Sequence, residues 1–498
     1  MRLVRNTFFL YLAFFTNLLL NFIQLKILSA CLPLKNLGVF FTVTAFGEII
    51  SLALLLGLPL VFSRYLPKFE AEGNTNKIAG LALFAYCAYI LLSLVVSIPI
   101  FVLGYRLGYA IYRDPAVARY LAFGVGLQLV SGIVVLTIAG FNGLRKMGSS
   151  AILGILYLLL QTVGIFLLRH QLNVGTILRI YLGSLLITTV AALLLFARGL
   201  RALPLLSRAL IRELLPYWRY AVVLGLLAPL FSYLDRLLVG YFLGMASVSL
   251  FVVAVKITSL ARTILGTPLE AVIPEISYFH EKGESAVLGR DLTMVIKLLF
   301  FLACGLTTFL SVGSRWLILL IATPEYLKVV VPFLIIVAGL PLIAAYAAIP
   351  AAMRAVGKIS LYLFSDLIYL GCYFTFIFIF IKPFGLVGVA LAQLLSLVVV
   401  LVFTFVYTAP RHTDIRLGWW FFVRTVFVSF GLGIVVYLLL ALLPVPYLVK
   451  LLLAAIAIAI GFLGFFRIGI ALPAEERKRL VQMLKLHSPL VNWLLALP

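Results

Sequence analysis

The chain has 498 residues, 64% of them hydrophobic and only 11% charged, with a formal net charge of +23. Soluble domains carry about 25% charged residues, and no water-facing globule could hide this much apolar surface, so a soluble fold is excluded and lipid is the natural solvent. In lipid every backbone N–H and C=O must be paired within the chain, which leaves helices or a closed barrel. Apolar runs of about 20 residues, without the ten-residue alternation of barrel strands, select helices.

The predicted spans, in chain order, are 7–29, 37–62, 78–104, 119–142, 149–168, 177–196, 216–243, 248–273, 291–312, 328–353, 359–381, 386–408, 419–443 and 448–471. The first follows a basic start at Arg2 and Arg5. It is too long for a signal-peptide core and lacks a small-x-small cleavage site. It carries Asn17, Asn21 and Gln24 on one face, with Lys26 opposite. The second holds Thr44, Gly47, Glu48 and Ser51 and leads into the polar connection SRYLPKFEAEGNTNK. The basic stretch ARGLRALPLLSRALIREL precedes the seventh span, in which Asp235 and Arg236 are adjacent.

The eighth span is the most polar. Lys256, Ser259, Thr263, Thr267 and Glu270 fall within roughly 80° of a helix turning 3.6 residues per turn, and Arg262 lies off that stripe. Lipid would not be met by such a face, so it points to protein or water. The eleventh span repeats Tyr362, Asp366, Tyr369 and Tyr373 at helical spacing. After the last span, LPAEERKRLVQMLKLHSPLVNWLLALP is expected to form a short amphipathic helix on the cytoplasmic leaflet, anchored by Trp493.

With the N-terminus in the cytoplasm, the even-numbered connections and both tails hold about two dozen of the 39 Lys and Arg. The bias supports an even number of spans and cytoplasmic termini, and it accounts for the charge without nucleic acid. Cys31, Cys87, Cys304 and Cys372 lack CxxC spacing, and the four histidines form no HExxH. No P-loop or credible Ser or Cys nucleophile occurs. No catalytic group, metal or cofactor is therefore expected.

Sliding the chain on itself by about 210 residues pairs Phe41 with Phe251, Phe69 with Phe279 and Gly73 with Gly283. Spans one to six then match seven to twelve. Because six is even, the two copies run in the same direction, as a parallel repeat about the membrane normal. The expected organisation is a six-helix lobe over 1–200, a second over 210–410, two additional spans over 411–471 and the tail 472–498. Two such bundles suggest alternating access to a cavity between them.

The stretches YLDRLLVGYFLGMASVSLFVVAVKITSLARTILGTPLEAVIPEIS, AMRAVGKISLYLFSDL and IKPFGLVGVALAQLLS resemble the polysaccharide transporter family, the Wzx-type oligosaccharide flippases. Their superfamily also holds lipid II flippases and multidrug extruders. The resemblance implies an all-α polytopic protein of the cell membrane, a monomer without cofactor, that moves a polyprenyl-diphosphate-linked oligosaccharide to the outer leaflet. Membrane lipids, and glycan polymerase or ligase proteins, are the partners it suggests.

For such cargo the diphosphate needs charge compensation inside the membrane, where ionisable residues are costly and therefore functional suspects. Arginine forks and lysine point charges supply it. Arg236, Lys256 and Arg262 are assigned this role, with Asp235 holding Arg236. Glu48, Glu270, Asn21, Gln24 and the sugar-facing Asp366 complete the cavity set. Arg64, Arg145 and Arg354, at cytoplasmic span ends, are assigned diphosphate capture.

Bland readings stand beside these: a structural Asp–Arg pair, interhelical hydrogen bonds, tyrosine packing, and topology charges beside anionic headgroups. Three further functions compete. A lipid II flippase would share this composition. A cation-coupled drug extruder would need an acidic cavity, which the basic spans seven and eight argue against. A membrane-embedded polymerase or ligase would need a large outer loop, and the connections here are short.

Overall fold

The computed structural model describes residues 2–199, 208–281, 285–355, 359–408 and 418–468, and these are helical without strands. The predicted tail helix lies outside the described residues. Among the described residues, twelve helices are long and apolar enough to cross a membrane. The first helix adds a shorter apolar stretch, Phe15–Cys31, and one long helix is bent into two apolar arms, so the apolar segments match the expected fourteen.

The first compact unit comprises residues 1–252. It contains α1 (Arg2–Cys31), α2 (Leu34–Leu54), α3 (Leu58–Ala71), α4 (Thr75–Tyr112), α5 (Pro115–Gly143), α6 (Met147–Leu167), α7 (Val174–Gly199) and α8 (Arg208–Leu243). Helix α5 is the hub, packing on α2, α4 and α7, while α1 packs on α6. The seventh span, α8, lies against α2, α3 and α4 of this same unit.

The predicted second span, 37–62, is broken. Leu56 and Gly57 both take positive φ, 47° and 68°, which ends α2 and starts α3 with Pro59 in its first turn. Proline is tolerated there because the first-turn N–H has no intrahelical acceptor. The break brings the chain against α8. The Trp218 indole N–H donates to the Leu56 carbonyl at 2.9 Å. A Cβ on Gly57 would stand 2.0 Å from the Ala221 carbonyl oxygen, and one on Gly225 would stand 2.5 Å from the Gly57 nitrogen. Small residues permit this backbone approach between membrane helices. Phe62, Leu66, Phe69, Phe141, Phe196 and Leu214 close the core around it.

The turn between α4 and α5 is set by Asp114, which caps α5 by accepting from the Ala116 N–H at 2.8 Å and pairs with Lys35 at 2.9 Å. Burial pushes the Asp114 carboxyl up, but the Lys35 hydrogen bond and the helix-start amides outweigh this and hold it below the usual carboxylate range. A depressed folded-state value stabilises above the unfolded value near 3.9 and is lost as pH falls through the folded one. Asp114→Ala should therefore cost about 1 kcal/mol at neutral pH. The deficit in melting temperature should shrink once the pH is well below 4, as thermal unfolding in detergent at both pH values would read.

The second unit comprises residues 253–498. Helix α9 (Met245–Glu281) crosses the boundary, followed by α10 (Ser285–Val312), α11 (Ser314–Ile321), α12 (Val330–Ala338), α13 (Leu340–Ala355), α14 (Ile359–Phe403), α15 (Trp419–Ala441) and α16 (Tyr447–Arg467). Helix α10 is its hub, touching α12, α13, α15 and α16. The predicted tenth span is divided at Gly339 into α12 and α13.

Within α14 the chain turns back on itself at Gly385, with φ 57° and ψ −131°, a conformation open essentially to glycine. A Cβ on Gly388 would stand 2.0 Å from the Phe380 carbonyl oxygen. Eight residues of straight helix would separate those positions by about 12 Å. The two arms are the predicted eleventh and twelfth spans. The outer surface is apolar: Phe101 and Phe427 are each 73% exposed, as lipid-facing groups should be.

Candidate functional site

The first unit carries a polar interior at membrane depth, built where α2 packs on α8. Asp235 is buried, and its Oδ1 accepts from the Arg236 backbone N–H at 2.7 Å. The Arg236 guanidinium sits over the Tyr233 ring, 4.8 Å from its centroid, and its Nε is buried without a hydrogen-bond partner. Glu48 on α2 interacts electrostatically with Arg236, and Tyr233 with both. The packing of α2 on α8 thus brings Glu48 towards the adjacent pair Asp235 and Arg236, all three singled out from the sequence.

A neutral network extends this interior between α1 and α6. Gln24 is buried and donates to the Thr162 hydroxyl at 2.9 Å and the Leu158 carbonyl at 3.2 Å. The Tyr181 hydroxyl reaches Gln24 at 3.5 Å, and Tyr157 bonds Gln161 and interacts with Glu48. Asn21 donates to the Asn17 carbonyl one turn back at 2.8 Å. Tyr89 reaches Ser51 at 2.9 Å and the Leu129 carbonyl at 2.7 Å. Interhelical hydrogen bonds in membrane proteins contribute about 0.6 kcal/mol each, up to about 1.7. Gln24→Leu, which removes several at once, should lower stability by about 1–2 kcal/mol, read as an earlier thermal unfolding midpoint in detergent.

In the second unit, Lys256 is half-buried while Ser259, Arg262 and Thr263 are exposed along α9. The Ser259 hydroxyl donates to the Lys256 carbonyl at 2.8 Å, and Thr263 to that of Ser259 at 3.0 Å, so the hydroxyls partly satisfy themselves on their own helix. The Tyr346 hydroxyl donates to Asp366 at 3.4 Å, and Tyr369 and Tyr373 stack at 6.1 Å between centroids. The side chains of Glu270 and Arg354 lie outside the described ones.

At the opposite end of α5 from Asp114, Arg64 is exposed over the Tyr217 ring at 4.4 Å, and Arg145 is exposed with φ 54°. The sequence reading missed the cluster beside them. Glu213 at the start of α8 accepts from Lys68 at 2.5 Å and Lys77 at 2.9 Å. The Glu213 hydrogen bond holds the Lys68 ammonium above the usual lysine range. Its signal in the sequence was the lone acid in the basic stretch ahead of span seven. Tyr157, Gln161 and Tyr181 were also missed, since isolated polar residues on separate helices have no common pattern until the helices pack.

Among the described residues no group of His, Cys, Asp and Glu could hold a metal ion. Within the first unit, Arg236, the carboxylates of Glu48 and Asp235 and the Tyr233 ring are carried on the membrane-spanning helices α2 and α8.

Solved structures share this architecture. A lipid II flippase, MurJ, in an inward closed conformation superposes with a TM-score of 0.70 at 13% identity, covering 93% of this chain and 99% of that one. An inward-facing multidrug resistance MATE family transporter of the MOP superfamily gives 0.69 at 16% identity, covering 79% and 94%. A MOP superfamily transporter from Pyrococcus furiosus, whose binding pocket is described as of reverse polarity, gives 0.62 at 16% identity over 82% and 95%. At these identities the likeness establishes the fold.

An uncharacterised membrane protein of Methanocaldococcus jannaschii is 20% identical over 395 residues, 75% of this chain and 77% of that protein. Residues 3–280, more than half of the chain, match the polysaccharide biosynthesis protein family. The chain is a multi-pass membrane protein with the MurJ and MATE fold, and it belongs to the polysaccharide biosynthesis protein family.

Proposed function

We propose that the protein is a flippase that carries a polyprenyl-diphosphate-linked oligosaccharide from the cytoplasmic to the outer leaflet of the cell membrane, with both termini cytoplasmic. The observation that carries this reading is Arg236, a guanidinium held at membrane depth whose buried Nε has no hydrogen-bond partner among the described residues. An unpaired donor there is costly. A phosphate oxygen is the ligand a guanidinium fork suits best. The family supports a polysaccharide precursor as cargo.

A second reading has a specific observation in its favour. The MurJ likeness covers 93% of this chain, against 79% for the MATE transporter, so lipid II is the runner-up cargo. Deleting the gene separates the two. Loss of a surface polysaccharide with accumulation of its lipid-linked precursor on the cytoplasmic side supports the proposal. Arrest of cell-wall synthesis with accumulated lipid II supports the alternative. An unchanged glycan and an unchanged wall, in a strain lacking other flippases, would refute both.

A further inference from the structure

A cleft of 460 Å³ in the first unit is lined by Tyr120, Phe123, Asn173, Gly175, Leu178 and Arg179. Its volume lies within the roughly 300–1,000 Å³ typical of ligand pockets. It sits at the Asp114 end of α5. The opposite end of that helix, some 20 residues and about 30 Å away, meets α3 beside the Arg64 and Lys68 cluster. The positive-inside bias places that basic end in the cytoplasm, so the cleft lies on the outer face.

Each lining group presents a particular chemistry. Tyr120 and Phe123 are three apart on α5 and share a face, offering two ring surfaces. The Asn173 Oδ1 accepts from the Thr176 N–H at 2.9 Å as the cap of α7, which leaves its amide hydrogens as donors. The Arg179 Nε donates to the Gly175 carbonyl at 3.2 Å, steadying the guanidinium above the first turn of α7 and leaving its terminal nitrogens to the cleft. A Cβ on Gly175 would stand 3.2 Å from the Tyr120 hydroxyl and 3.3 Å from the Asn173 Oδ1, so glycine keeps the space between them open. Among the described residues no carboxylate lines the cleft, and Asp114 at the same end is engaged by Lys35.

We infer that this cleft binds an anionic sugar, a pyranose ring bearing a carboxylate or a phosphate. Ring faces pack on the apolar side of a pyranose, the amide and phenol reach its hydroxyls, and the guanidinium fork takes the anion. Its role rests on the export reading: the cleft holds an acidic residue of the glycan on the face where the cargo arrives.

The test uses the full chain in phosphatidylcholine nanodiscs. Glucuronic acid and glucose 1-phosphate are added separately, with glucose and inorganic phosphate as comparisons, and saturation transfer from protein to sugar is read by NMR. Both anionic sugars should receive saturation, and glucose much less. Arg179→Gln should weaken binding of both about tenfold. This residue is exposed, so the fold should be unaffected. Tyr120→Ala should weaken both as well, and Tyr120→Phe should retain most of the binding through the ring.

Equal saturation in wild type and Arg179→Gln would overturn the inference, as would no saturation by either anionic sugar. Complete displacement of the sugars by inorganic phosphate, or by nanodiscs of phosphatidylglycerol, would instead reassign the cleft to a bare phosphate or a lipid headgroup and also overturn it. Because binding is read without transport, a failed titration leaves the export reading standing. A failed deletion phenotype removes that reading while the sugar titration is unchanged.

Discussion

Arg236→Ala is expected to reduce export of the lipid-linked glycan by at least about tenfold while leaving folded protein in the membrane at near wild-type amounts. A hydrogen bond to a charged group is worth about 1.5–3 kcal/mol, which corresponds to roughly 10–150-fold in an equilibrium or rate constant. Stability should fall less than export, because the Nε has no hydrogen-bond partner to strand among the described residues and the ring beneath the guanidinium remains, so the structural cost is confined to Glu48, which loses a neighbouring positive charge. Arg236→Lys keeps the charge but loses the planar fork, so it should fall between wild type and alanine. Asp235→Asn is the informative companion. The amide oxygen can still accept from the Arg236 N–H, so this variant removes the charge of Asp235 while keeping that hydrogen bond. Precursor accumulation in the deletion strain complemented by each variant gives the measurement, with membrane abundance determined alongside. Full export by Arg236→Ala would remove the residue from the transport pathway.

The second large effect is structural. Gly57→Ala should destabilise the first unit by about 2–5 kcal/mol and sharply reduce the folded fraction recovered in detergent. Two costs combine. A side chain at φ 68° carries roughly 1–2 kcal/mol of strain. Its Cβ would also stand 2.0 Å from the Ala221 carbonyl oxygen, so α8 must retreat, at roughly 1–3 kcal/mol for overpacking. Gly73→Ala separates the two. Gly73 has nearly the same φ, 67°, and nothing within 4 Å of its Cβ position, so it should lose only the strain. Equal losses of melting temperature in the two variants would show that the α3–α8 approach contributes nothing.

The spans themselves were legible because lipid imposes one demand, a long apolar helix, and hydropathy reads that directly. The interruptions were less so. LALLLGLPLVF is apolar from end to end, and a window over it sees one span where Gly57 and Pro59 make two helices. The division at Gly339 escaped for the same reason, since the sequence on both sides of it is apolar. Glu48, Asp235 and Arg236 stood out because charge inside a span is anomalous wherever it occurs. Their convergence followed from the packing of α2 on α8, which periodicity cannot predict. Gln24 was found as part of a polar face, whereas Thr162, Gln161 and Tyr181 became visible only once α1, α6 and α7 were brought together.

The reversal at Gly385 bears on biogenesis. With only a Lys-Pro-Phe-Gly corner between its arms, this segment offers the insertion machinery a single hydrophilic side chain, Lys382, in place of a tether that could pause on one side. Neither arm can be threaded and released before its neighbour, so the pair must partition into the bilayer together. Lengthening the corner with an epitope should uncouple the two steps, and would be seen first as a chain of mixed topology during synthesis.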